Sequence, residues 1–434
     1  MYNLHDCYGI NEQGHLTLGG ADTVELAKKY GTPLYLLDEN KIRRQCRIYK
    51  EALEKHFPEG SMPLYASKAL SFVDIYKIVK DERIGIDIVS PGELYTALSA
   101  GFDVSCACFH GNNKTDADIE YGISSNVGYI VVDSKEELEA VDKIAEKLGK
   151  TQKILLRITP GIDPHTLQAI NTGKVDSKFG TPIIENKAEE ITALALSKKN
   201  AKLCGFHCHI GSQIFEPTPF SDAAKVMISF ISDIKDKYGF ETDVLNIGGG
   251  FAVRYLPEHS EVNIAEYIAD IAKSITFLCE KFSVKMPKIF MEPGRSIVAA
   301  AGVTLYTVGT RKEIPGFKNY ISIDGGMPDN PRYALYQSPY SVLCADRANA
   351  PKDYKATICG RCCESGDLIA EDIAVAKMDR GDTLAVLVTG AYNYSMASNY
   401  NRIPRPPIVI VNDGKDRLSV RRESFEDLIK NEVL

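Results

Sequence analysis

The sequence predicts a (β/α)8 barrel together with a second, all-β domain. Three observations support this fold class: the chain has 434 residues, short apolar runs alternate with longer amphipathic stretches from about residue 60 to about residue 295, and the alternation stops near residue 300. A chain of this length is too long for one ordinary core, which favours two domains. We expect an N-terminal segment at residues 1–40 that joins the β domain, the barrel at 41–300, and the C-terminal β domain at 301–434.

Eight apolar runs are the predicted barrel strands. Most are rich in β-branched residues and do not alternate with polar ones, which is typical of parallel strands covered on both faces. They are Leu64–Ala66, Ile84–Val89, Val104–Phe109, Gly128–Val132, Ile154–Ile158, Leu203–His207, Val244–Ile247 and Ile289–Met291. The helix-compatible stretches between them include Ser134–Leu148, Lys187–Lys198, Phe220–Tyr238 and Ala265–Phe282. An open doubly wound sheet is the alternative, but no Gly-x-Gly-x-x-Gly turn follows an early strand, so the barrel is favoured.

The remaining apolar runs are short and are broken by Gly, Pro and Asp, which indicates an all-β domain. They are Thr304–Val308, Tyr320–Ile323, Ala356–Cys359, Thr383–Thr389 and Ile408–Val411. Two runs near the start of the chain, Leu16–Leu18 and Pro33–Leu37, are also strand-like. We expect this N-terminal segment to join the β domain.

Composition excludes several classes of partner. The formal net charge is -7 at pH 7 and the basic residues are dispersed, so neither a nucleic-acid nor a membrane surface is expected. No apolar stretch approaches the length of a membrane span, and the first residues lack the basic and apolar regions of a signal peptide. The 11 cysteines are scattered through apolar strands, which favours reduced thiols in the cytoplasm.

Polar side chains stand at the carboxyl ends of the predicted barrel strands, where enzymes with this fold place their active sites. Lys68 directly follows the first strand, Asp87 belongs to the second, and Glu292 follows the eighth. The other groups at strand ends are His110–Lys114 after the third strand, His207–Ser212 at the sixth, Asn246–Gly250 at the seventh, and Arg295 shortly after the eighth. This clustering predicts a functional site at one end of the barrel.

Three of these groups suit a carbonyl cofactor that carries a phosphate. A lysine buried at the rim of a sheet has a lowered pKa and can form a Schiff base, although a strand-end lysine taken alone is more often a solvated charge. Gly248–Gly250 is either a tight turn or, given its position after the seventh strand, a set of amides around a phosphate, to which Ser212 could add a hydroxyl. Glu292 is either a structural partner of Arg295 or the carboxylate that keeps the ring nitrogen of pyridoxal phosphate protonated.

Two segments rich in cysteine match zinc sites poorly. Cys204–His209 lies along one strand, whereas the ligands of structural zinc usually come from separate knuckles. We expect no metal there and favour a stacking role for one of its histidines. Cys359–Cys363 lacks a second pair at zinc-ribbon spacing, and a free thiol beside Glu364 suits an acid–base group, with a buried inert cysteine as the alternative.

These motifs resemble those of the diaminopimelate decarboxylases, pyridoxal-phosphate enzymes of the alanine-racemase-like barrel type. The resemblance extends from Gly14-His15-Leu16-Thr17 to Arg421-Arg422-Glu423. The barrel motifs are shared with ornithine and arginine decarboxylases, so they indicate the cofactor rather than the substrate. The resemblance implies that Lys68 forms a Schiff base with pyridoxal phosphate and that His209 stacks on its ring. The other cofactor contacts that it implies come from Asp87, Ser212, Gly248, Gly249, Gly250, Glu292 and Tyr392.

Other segments carry the resemblance on the substrate side. Arg295 resembles the family's substrate arginine, and Arg332 with Tyr336 resembles the pair that holds the distal carboxylate, for which a guanidinium is a suitable bidentate donor. An enzyme for ornithine would instead need acidic groups for a distal amine. Cys363-Glu364 resembles the catalytic pair that the second subunit supplies, and the resemblance places Glu364 and Tyr392 at the substrate as well.

The implied reaction is the decarboxylation of meso-diaminopimelate to L-lysine and CO2, the last step of lysine biosynthesis, by a homodimer in which Cys363 returns the proton. Three alternatives remain: a decarboxylase of a related carboxylated amine such as carboxynorspermidine, a non-catalytic regulator on the same fold, and a racemase, for which a cysteine is a less suitable second base than tyrosine. Two departures from the family pattern, at Leu70 and at Thr166-Leu167, leave substrate stringency open without removing a group that the reaction requires.

Overall fold

The computed structural model describes residues 4–162 and 177–433 of the chain, so the departure at Thr166-Leu167 lies outside the described residues. By their contacts, the residues form two compact units. The first, here called the barrel unit, consists of Gln45–Ala252 and Val262–Gly294. The second, here called the β unit, consists of Met1–Arg44, Val253–Glu261 and Arg295–Leu434.

The strands and helices have the following bounds in the described part of the chain. The strands are β1 (Tyr8–Ile10), β2 (Leu16–Leu18), β3 (Ala21–Asp22), β4 (Leu34–Asp38), β5 (Met62–Ala66), β6 (Gly85–Ile88), β7 (Ala107–Phe109), β8 (Tyr129–Val132), β9 (Gln152–Thr159), β10 (Thr181–Pro182), β11 (Ala201–His207), β12 (Val244–Asn246), β13 (Lys288–Met291), β14 (Gly302–Ile314), β15 (Lys318–Ile323), β16 (Val342–Cys344), β17 (Tyr354–Cys359), β18 (Leu368–Val375), β19 (Thr383–Leu387), β20 (Ile408–Asn412) and β21 (Lys415–Val420). The helices are α1 (Thr23–Tyr30), α2 (Glu39–His56), α3 (Val73–Asp81), α4 (Pro91–Ser99), α5 (Asp116–Ser124), α6 (Lys135–Lys147), α7 (Lys187–Ser197), α8 (Thr218–Tyr238), α9 (Ile264–Lys281), α10 (Arg295–Val298), α11 (Arg332–Tyr336) and α12 (Phe425–Ile429).

Eight parallel strands close into a barrel. The order is β5-β6-β7-β8-β9-β11-β12-β13, and the pairing of β13 with β5 closes the ring. The strands are buried along almost their whole length, which explains why each appears in the sequence as a continuous apolar run. The predicted barrel is therefore confirmed.

Seven of the eight barrel strands contribute a side chain to one buried hydrophobic cluster. Its buried members are Leu64, Cys108, Val131, Leu155, Cys204, Val244 and Phe290. Two of them are cysteines, and all 11 cysteines of the chain are free thiols. In these two positions the thiol therefore acts as a small apolar side chain.

Local hydrogen bonds explain where helix α6 and strand β7 begin. The predicted helix at Ser134–Leu148 begins as α6 at Lys135, because the Ser134 hydroxyl caps it by accepting the N–H of Glu137 at 3.2 Å. The predicted strand at Val104–Phe109 is shorter than expected. Asp103 accepts the N–H of Ser105 at 3.0 Å and draws Val104–Cys106 into a 3-10 turn, so β7 begins at Ala107.

The β unit contains a large mixed sheet with the order β18-β17-β15-β14-β4-β20-β21, and β19 pairs with β14 and with β16. The strand β4 lies between β14, to which it is antiparallel, and β20, to which it is parallel. The N-terminal segment therefore joins the β domain, as predicted. The strands β1, β2 and β3 form a separate small sheet. Among the described residues, no helix has both the length and the apolar character needed to cross a membrane.

Candidate active site

Lys68 lies immediately beyond the first barrel strand. It occupies a single 3-10 turn, Ser67–Ala69, and the hydroxyl of Tyr65 holds this turn by donating to the carbonyl of Leu70 at 2.8 Å. The side chain of Lys68 is exposed although its two neighbours are buried. The burial that the sequence argument assumed for its amine is therefore wrong, whereas the position at the carboxyl end of the strand is as predicted.

Glu292, directly after β13, is buried in the barrel unit and has three polar partners there. Its Oε1 lies 2.7 Å from Nε2 of His110 and accepts the Asn246 amide at 2.6 Å, and its Oε2 lies 3.2 Å from Nε2 of His207. Burial alone would raise the pKa of Glu292, but the two histidines hold that pKa well below its ordinary value. Glu292 is therefore an ionised carboxylate with a fixed orientation.

The two imidazoles beside Glu292 pack against each other. Their ring centroids are 4.8 Å apart at an angle of 66°, and both rings are buried. Burial lowers the pKa of His207 to about 4, so this ring is neutral near pH 7 and binds the carboxylate as a hydrogen-bond donor. His110 Nε2 also lies 3.7 Å from Asp87 on β6, a carboxylate whose pKa is raised by burial.

Four buried polar atoms at this end of the barrel make no hydrogen bond among the described residues: Ser67 Oγ, Asp87 Oδ1, His207 Nδ1 and His110 Nε2, which lies 2.7 Å from Glu292 Oε1 but without hydrogen-bond geometry. Such atoms are rare in native interiors and often mark places where a ligand completes the hydrogen bonding. Glu93, close by on α4, is also perturbed, since burial raises its pKa to about 7 while the charge of Lys68 opposes that shift. Orphaned polar atoms and perturbed carboxyl groups together indicate a ligand-binding site.

The three glycines after β12 are required by close backbone packing. A Cβ on Gly248 would lie 2.6 Å from the Cys208 carbonyl oxygen, and one on Gly249 would lie 2.2 Å from the Glu292 carbonyl oxygen. On Gly250, where φ is +121°, a Cβ would lie 2.6 Å from the carbonyl oxygen of Gly211. Only glycine fits this narrow cradle between the loops that follow β11 and β13.

The amides of this cradle do not all point to one place. Gly248 donates its N–H to the Asn246 side chain at 2.9 Å, and Gly249 donates to Nδ1 of His209 at 3.2 Å. Of the three glycines, Gly250 has an amide without an acceptor among the described residues, and phosphate binding by Gly248–Gly250 stays a prediction. The bond from Gly249 fixes the orientation of the His209 ring, whose pKa is lowered well below its ordinary value, first by desolvation and then by the charges of Lys68 and Arg157.

Sequence reasoning passed over several members of this site. His110, His207 and Asn246 were placed at the predicted site by their strand-end positions but were not predicted to contact Glu292, and Arg157 on β9 was not noted at all. Arg157 is largely buried, with its guanidinium 4.4 Å from the ring of Phe179, and burial lowers its pKa. The signal that could have revealed it is a charged residue inside a buried apolar run.

A metal ion is also compatible with part of this cluster. His110, His207 and Glu292 offer one ligand atom each, and these atoms lie within 4.8 Å of one another. The zinc ligands considered from the sequence, in Cys204–His209, are not brought together, because Cys204 belongs to the barrel core while His207 contacts Glu292.

The β unit contains a separate cluster of buried arginines and tyrosines. Arg295, the first residue of α10, donates from Nη1 to the hydroxyl of Tyr255 at 3.0 Å, and its guanidinium lies 4.7 Å from the ring of Tyr392. Arg332, the first residue of α11, donates from Nη1 to the hydroxyl of Tyr340 at 3.0 Å, and its guanidinium lies 5.0 Å from the ring of Tyr255. The structure therefore groups three predicted residues with Tyr255 and Tyr340, which sequence reasoning missed.

Tyr336 ends α11 four residues after Arg332 and is half-buried. Residues at this spacing lie on the same side of a helix. Cys363 and Glu364 lie in the exposed loop between β17 and β18. No contact recorded among the described residues joins these two side chains to the arginine cluster.

Comparison with known proteins first establishes the class. Residues 39–299 match the family model described as "Pyridoxal-dependent decarboxylase, pyridoxal binding domain". This range contains all eight barrel strands together with Lys68 and Glu292. The fold and this match define a pyridoxal-dependent decarboxylase, and the cofactor of this class is pyridoxal phosphate.

Relatives that match over the full length then give the family. The diaminopimelate decarboxylase of Bacillus methanolicus is 45% identical over 423 residues, which cover 98% of this chain and 98% of the relative. That of Bacillus subtilis strain 168 is 42% identical over 427 residues, covering 98% and 97%. The crystal structure of diaminopimelate decarboxylase from M. jannaschii in complex with L-lysine superposes with a TM-score of 0.91 at 33% identity and covers 99% of this chain and 98% of that one. The chain belongs to the diaminopimelate decarboxylase family, which confirms the resemblance drawn from its motifs.

Proposed function

We propose that this protein decarboxylates meso-diaminopimelate with pyridoxal phosphate to give L-lysine and CO2, the last step of lysine biosynthesis. The observation that carries the proposal is the ionised, oriented Glu292 at the carboxyl end of the eighth barrel strand, in a chain 45% identical to a diaminopimelate decarboxylase. A carboxylate of this kind is what a protonated pyridine nitrogen requires as its partner.

The residues of the barrel unit fit the cofactor. The glycine cradle has no room for a side chain, four buried polar atoms make no hydrogen bond among the described residues, and Glu292 is held as an anion. Lys68 would supply the amine for the cofactor carbonyl, His209 would stack on the ring and Glu292 would hold its nitrogen. The remaining cofactor contacts that the proposal takes from the barrel unit are Asp87, Ser212, Gly248, Gly249 and Gly250, and Tyr392 is a further proposed contact. When bound, pyridoxal phosphate supplies the electron sink for the electron pair that CO2 leaves behind.

The residues of the β unit supply substrate recognition in this proposal. Arg295, Arg332 and Tyr336 bind the carboxylate that is retained in the product, because two buried guanidiniums favour an anionic group over a distal amine. Glu364 and Tyr392 complete the substrate contacts. Cys363 delivers a proton to the carbon that has lost CO2.

Cys363 and Glu364 act in the site of a second copy of the chain, so the working form is a homodimer. Both side chains are exposed, as residues offered to a partner must be in the free subunit. Burial, together with Asp367, raises the pKa of the adjacent Cys362 to about 12, which makes that thiol a poor proton donor, and we assign the proton transfer to Cys363. The 11 free thiols suit a reducing compartment, and we assign the protein to the cytoplasm.

A product assay on meso-diaminopimelate with added pyridoxal phosphate tests the proposal. The wild-type protein should release L-lysine and show the absorbance band of bound cofactor, and Lys68→Ala should lose both the band and the activity. Lys77→Ala is a matched control, because Lys77 is an exposed lysine of α3 that pairs only with Asp74 in the described part of the chain.

Other outcomes identify the alternatives. Turnover of carboxynorspermidine without turnover of meso-diaminopimelate would show a decarboxylase of a related amine. A purified protein that binds no pyridoxal phosphate and decarboxylates neither compound would be a regulator on the same fold.

A further inference from the structure

Tyr255 lies at the centre of the arginine cluster of the β unit. Its side chain is 3% exposed, and its ring packs edge-on against Tyr340 with the centroids 5.6 Å apart. The hydroxyl of Ser341 donates to the Tyr255 carbonyl at 2.9 Å, which fixes the backbone at this position. Tyr255 is therefore held rigidly, as a binding group must be if it is to contribute to specificity.

The hydroxyl of Tyr255 accepts a hydrogen bond from Arg295 Nη1 at 3.0 Å. A phenol can accept one hydrogen bond and donate another, and buried hydroxyls normally do both. No described residue accepts the proton of the Tyr255 hydroxyl. One donor is therefore left beside the guanidinium of Arg295.

The second arginine needs an anion. Arg332 is 5% exposed, and its recorded hydrogen bonds go to two neutral groups, the hydroxyls of Tyr340 at 3.0 Å and Ser338 at 3.1 Å. Within the described residues, no carboxylate forms an ion pair with it. A buried cation without a counter-ion is costly, so the surroundings of Arg332 favour an anionic ligand.

The electrostatics at Tyr255 point the same way. Burial raises the pKa of its hydroxyl, but the charges of Arg295 and Arg332 outweigh burial and lower the pKa below its ordinary value. The potential at this oxygen is positive enough to favour a negative charge next to it.

We propose that Tyr255 is a substrate-binding residue whose hydroxyl donates to the carboxylate bound by Arg295 and Arg332. This inference rests on the proposed function and deepens it, because it adds a fourth residue to Arg295, Arg332 and Tyr336 as contacts of the carboxylate that remains in L-lysine. A ligand without that carboxylate leaves the donors without an acceptor. A site built in this way discriminates strongly against such analogues.

The test compares two ligands on the holoenzyme. L-lysine carries the carboxylate in question and cadaverine, its decarboxylated analogue, does not. Tyr255→Phe removes only the hydroxyl, so calorimetry should show L-lysine binding about tenfold more weakly while cadaverine binding stays within about twofold. The KM for meso-diaminopimelate should rise by a similar factor with little change in kcat.

Tyr306→Phe is the matched control. It also removes one buried hydroxyl from the β unit, but that hydroxyl bonds to Asp329 rather than to an arginine. The melting temperature of Tyr306→Phe should fall, while its affinity for L-lysine relative to cadaverine should not change. If Tyr255→Phe fails to fold, Tyr255→His is the second variant, because it keeps a ring N–H donor. It should bind L-lysine more weakly than the wild type does, with unchanged affinity for cadaverine.

Two results would overturn the inference while leaving the proposed function intact: equal weakening of both ligands, which indicates a structural role, and unchanged L-lysine binding in Tyr255→Phe. A wild-type holoenzyme that neither binds L-lysine nor decarboxylates meso-diaminopimelate overturns the proposed function together with the inference.

Discussion

At the scale of single residues, the chemistry of the barrel unit depends on how a buried carboxylate is kept charged. Glu292 accepts the Asn246 amide at 2.6 Å and has an imidazole nitrogen near each of its oxygens. These partners replace the water that burial removes. The arrangement also requires His207 to stay neutral, and its pKa of about 4 meets that requirement.

This arrangement predicts a loss of stability in mild acid. The pKa of His207 is about 4 in the folded protein and near 6.5 in an unfolded chain, so between these values the unfolded state binds more protons. The stabilisation is complete above about pH 6.5 and is lost as the pH falls towards 4, by about 3 kcal/mol in total. Glu292, with its lowered pKa, acts in the same direction at still lower pH.

Melting temperatures between pH 7 and pH 4.5 measure this effect. His207→Gln should show a flatter decline with falling pH than the wild type. His56→Gln, at the partly exposed end of α2, should leave the decline unchanged. Equal slopes for wild type and His207→Gln would show that protonation of His207 is not what limits stability in acid.

Sequence patterns identified which residues lie at the site better than they identified which side chains those residues contact. Lys68 and Glu292 follow apolar runs, and the rule that barrel sites lie at strand ends made them candidates. The partners of Glu292 could not be read in the same way. His207 is 85 residues away and Asn246 is 46 residues away, and only the closing of the barrel brings them together.

At the scale of elements, Asp367 joins two loops of the β unit that carry predicted site residues. Its Oδ1 accepts the N–H of Met327 at 2.6 Å and its Oδ2 accepts the N–H of Cys362 at 2.7 Å. Asp367 is 2% exposed, and a Cβ on either Gly326 or Gly360 would come within 2.3 Å of its carboxylate oxygens. The first loop leads into α11, and the second presents Cys363 and Glu364.

Asp367→Asn should loosen this connection. The amide offers one acceptor oxygen where the carboxylate offers two, so one part-buried backbone N–H loses its charged acceptor, at a cost of about 1.5–3 kcal/mol. We expect a lower melting temperature and a fall in kcat of roughly tenfold, because Cys363 is then held less accurately. Cofactor absorbance should be retained, since Asp367 is not one of the residues proposed to contact the cofactor.

Asp379→Asn is the control for this substitution, because the Asp379 side chain is 78% exposed. If Asp367→Asn has a normal kcat and a lowered melting temperature, the hydrogen bonds of Asp367 stabilise the fold without positioning the loop that carries Cys363.

At the scale of the whole molecule, the architecture could be predicted from the sequence because parallel strands buried on both faces are encoded as continuous apolar runs. The sequence also predicted that the N-terminal segment joins the β domain, since Pro33–Leu37 is a run of the same kind. The cluster around Tyr255 could not be predicted. Segment Val253–Glu261 has no regular apolar pattern, so nothing local shows that it packs with Arg295 and Arg332, two residues far along the chain.

The proposed homodimer predicts that two inactive variants restore activity when their subunits combine in one dimer. Lys68→Ala lacks the cofactor lysine and Cys363→Ala lacks the proton donor, so each variant should be nearly inactive alone. If each site combines Lys68 of one subunit with Cys363 of the other, a mixed dimer has one site with both groups intact and one site with neither. Random exchange of subunits makes half of the dimers mixed, so activity should recover to about one quarter of the wild-type value.

The measurement is the decarboxylation rate after the two variants are mixed under conditions that allow subunits to exchange, with light scattering to establish the mass of the particle. A sample of Lys68→Ala alone, taken through the same exchange procedure, controls for activity that the procedure itself restores. Activity that stays at the sum of the two separate variants, in a sample shown to have exchanged subunits, would mean that each chain uses its own Cys363. The exposed loop that carries Cys363 and Glu364 would then have to reach the site of its own subunit, and the second copy would not be needed for catalysis.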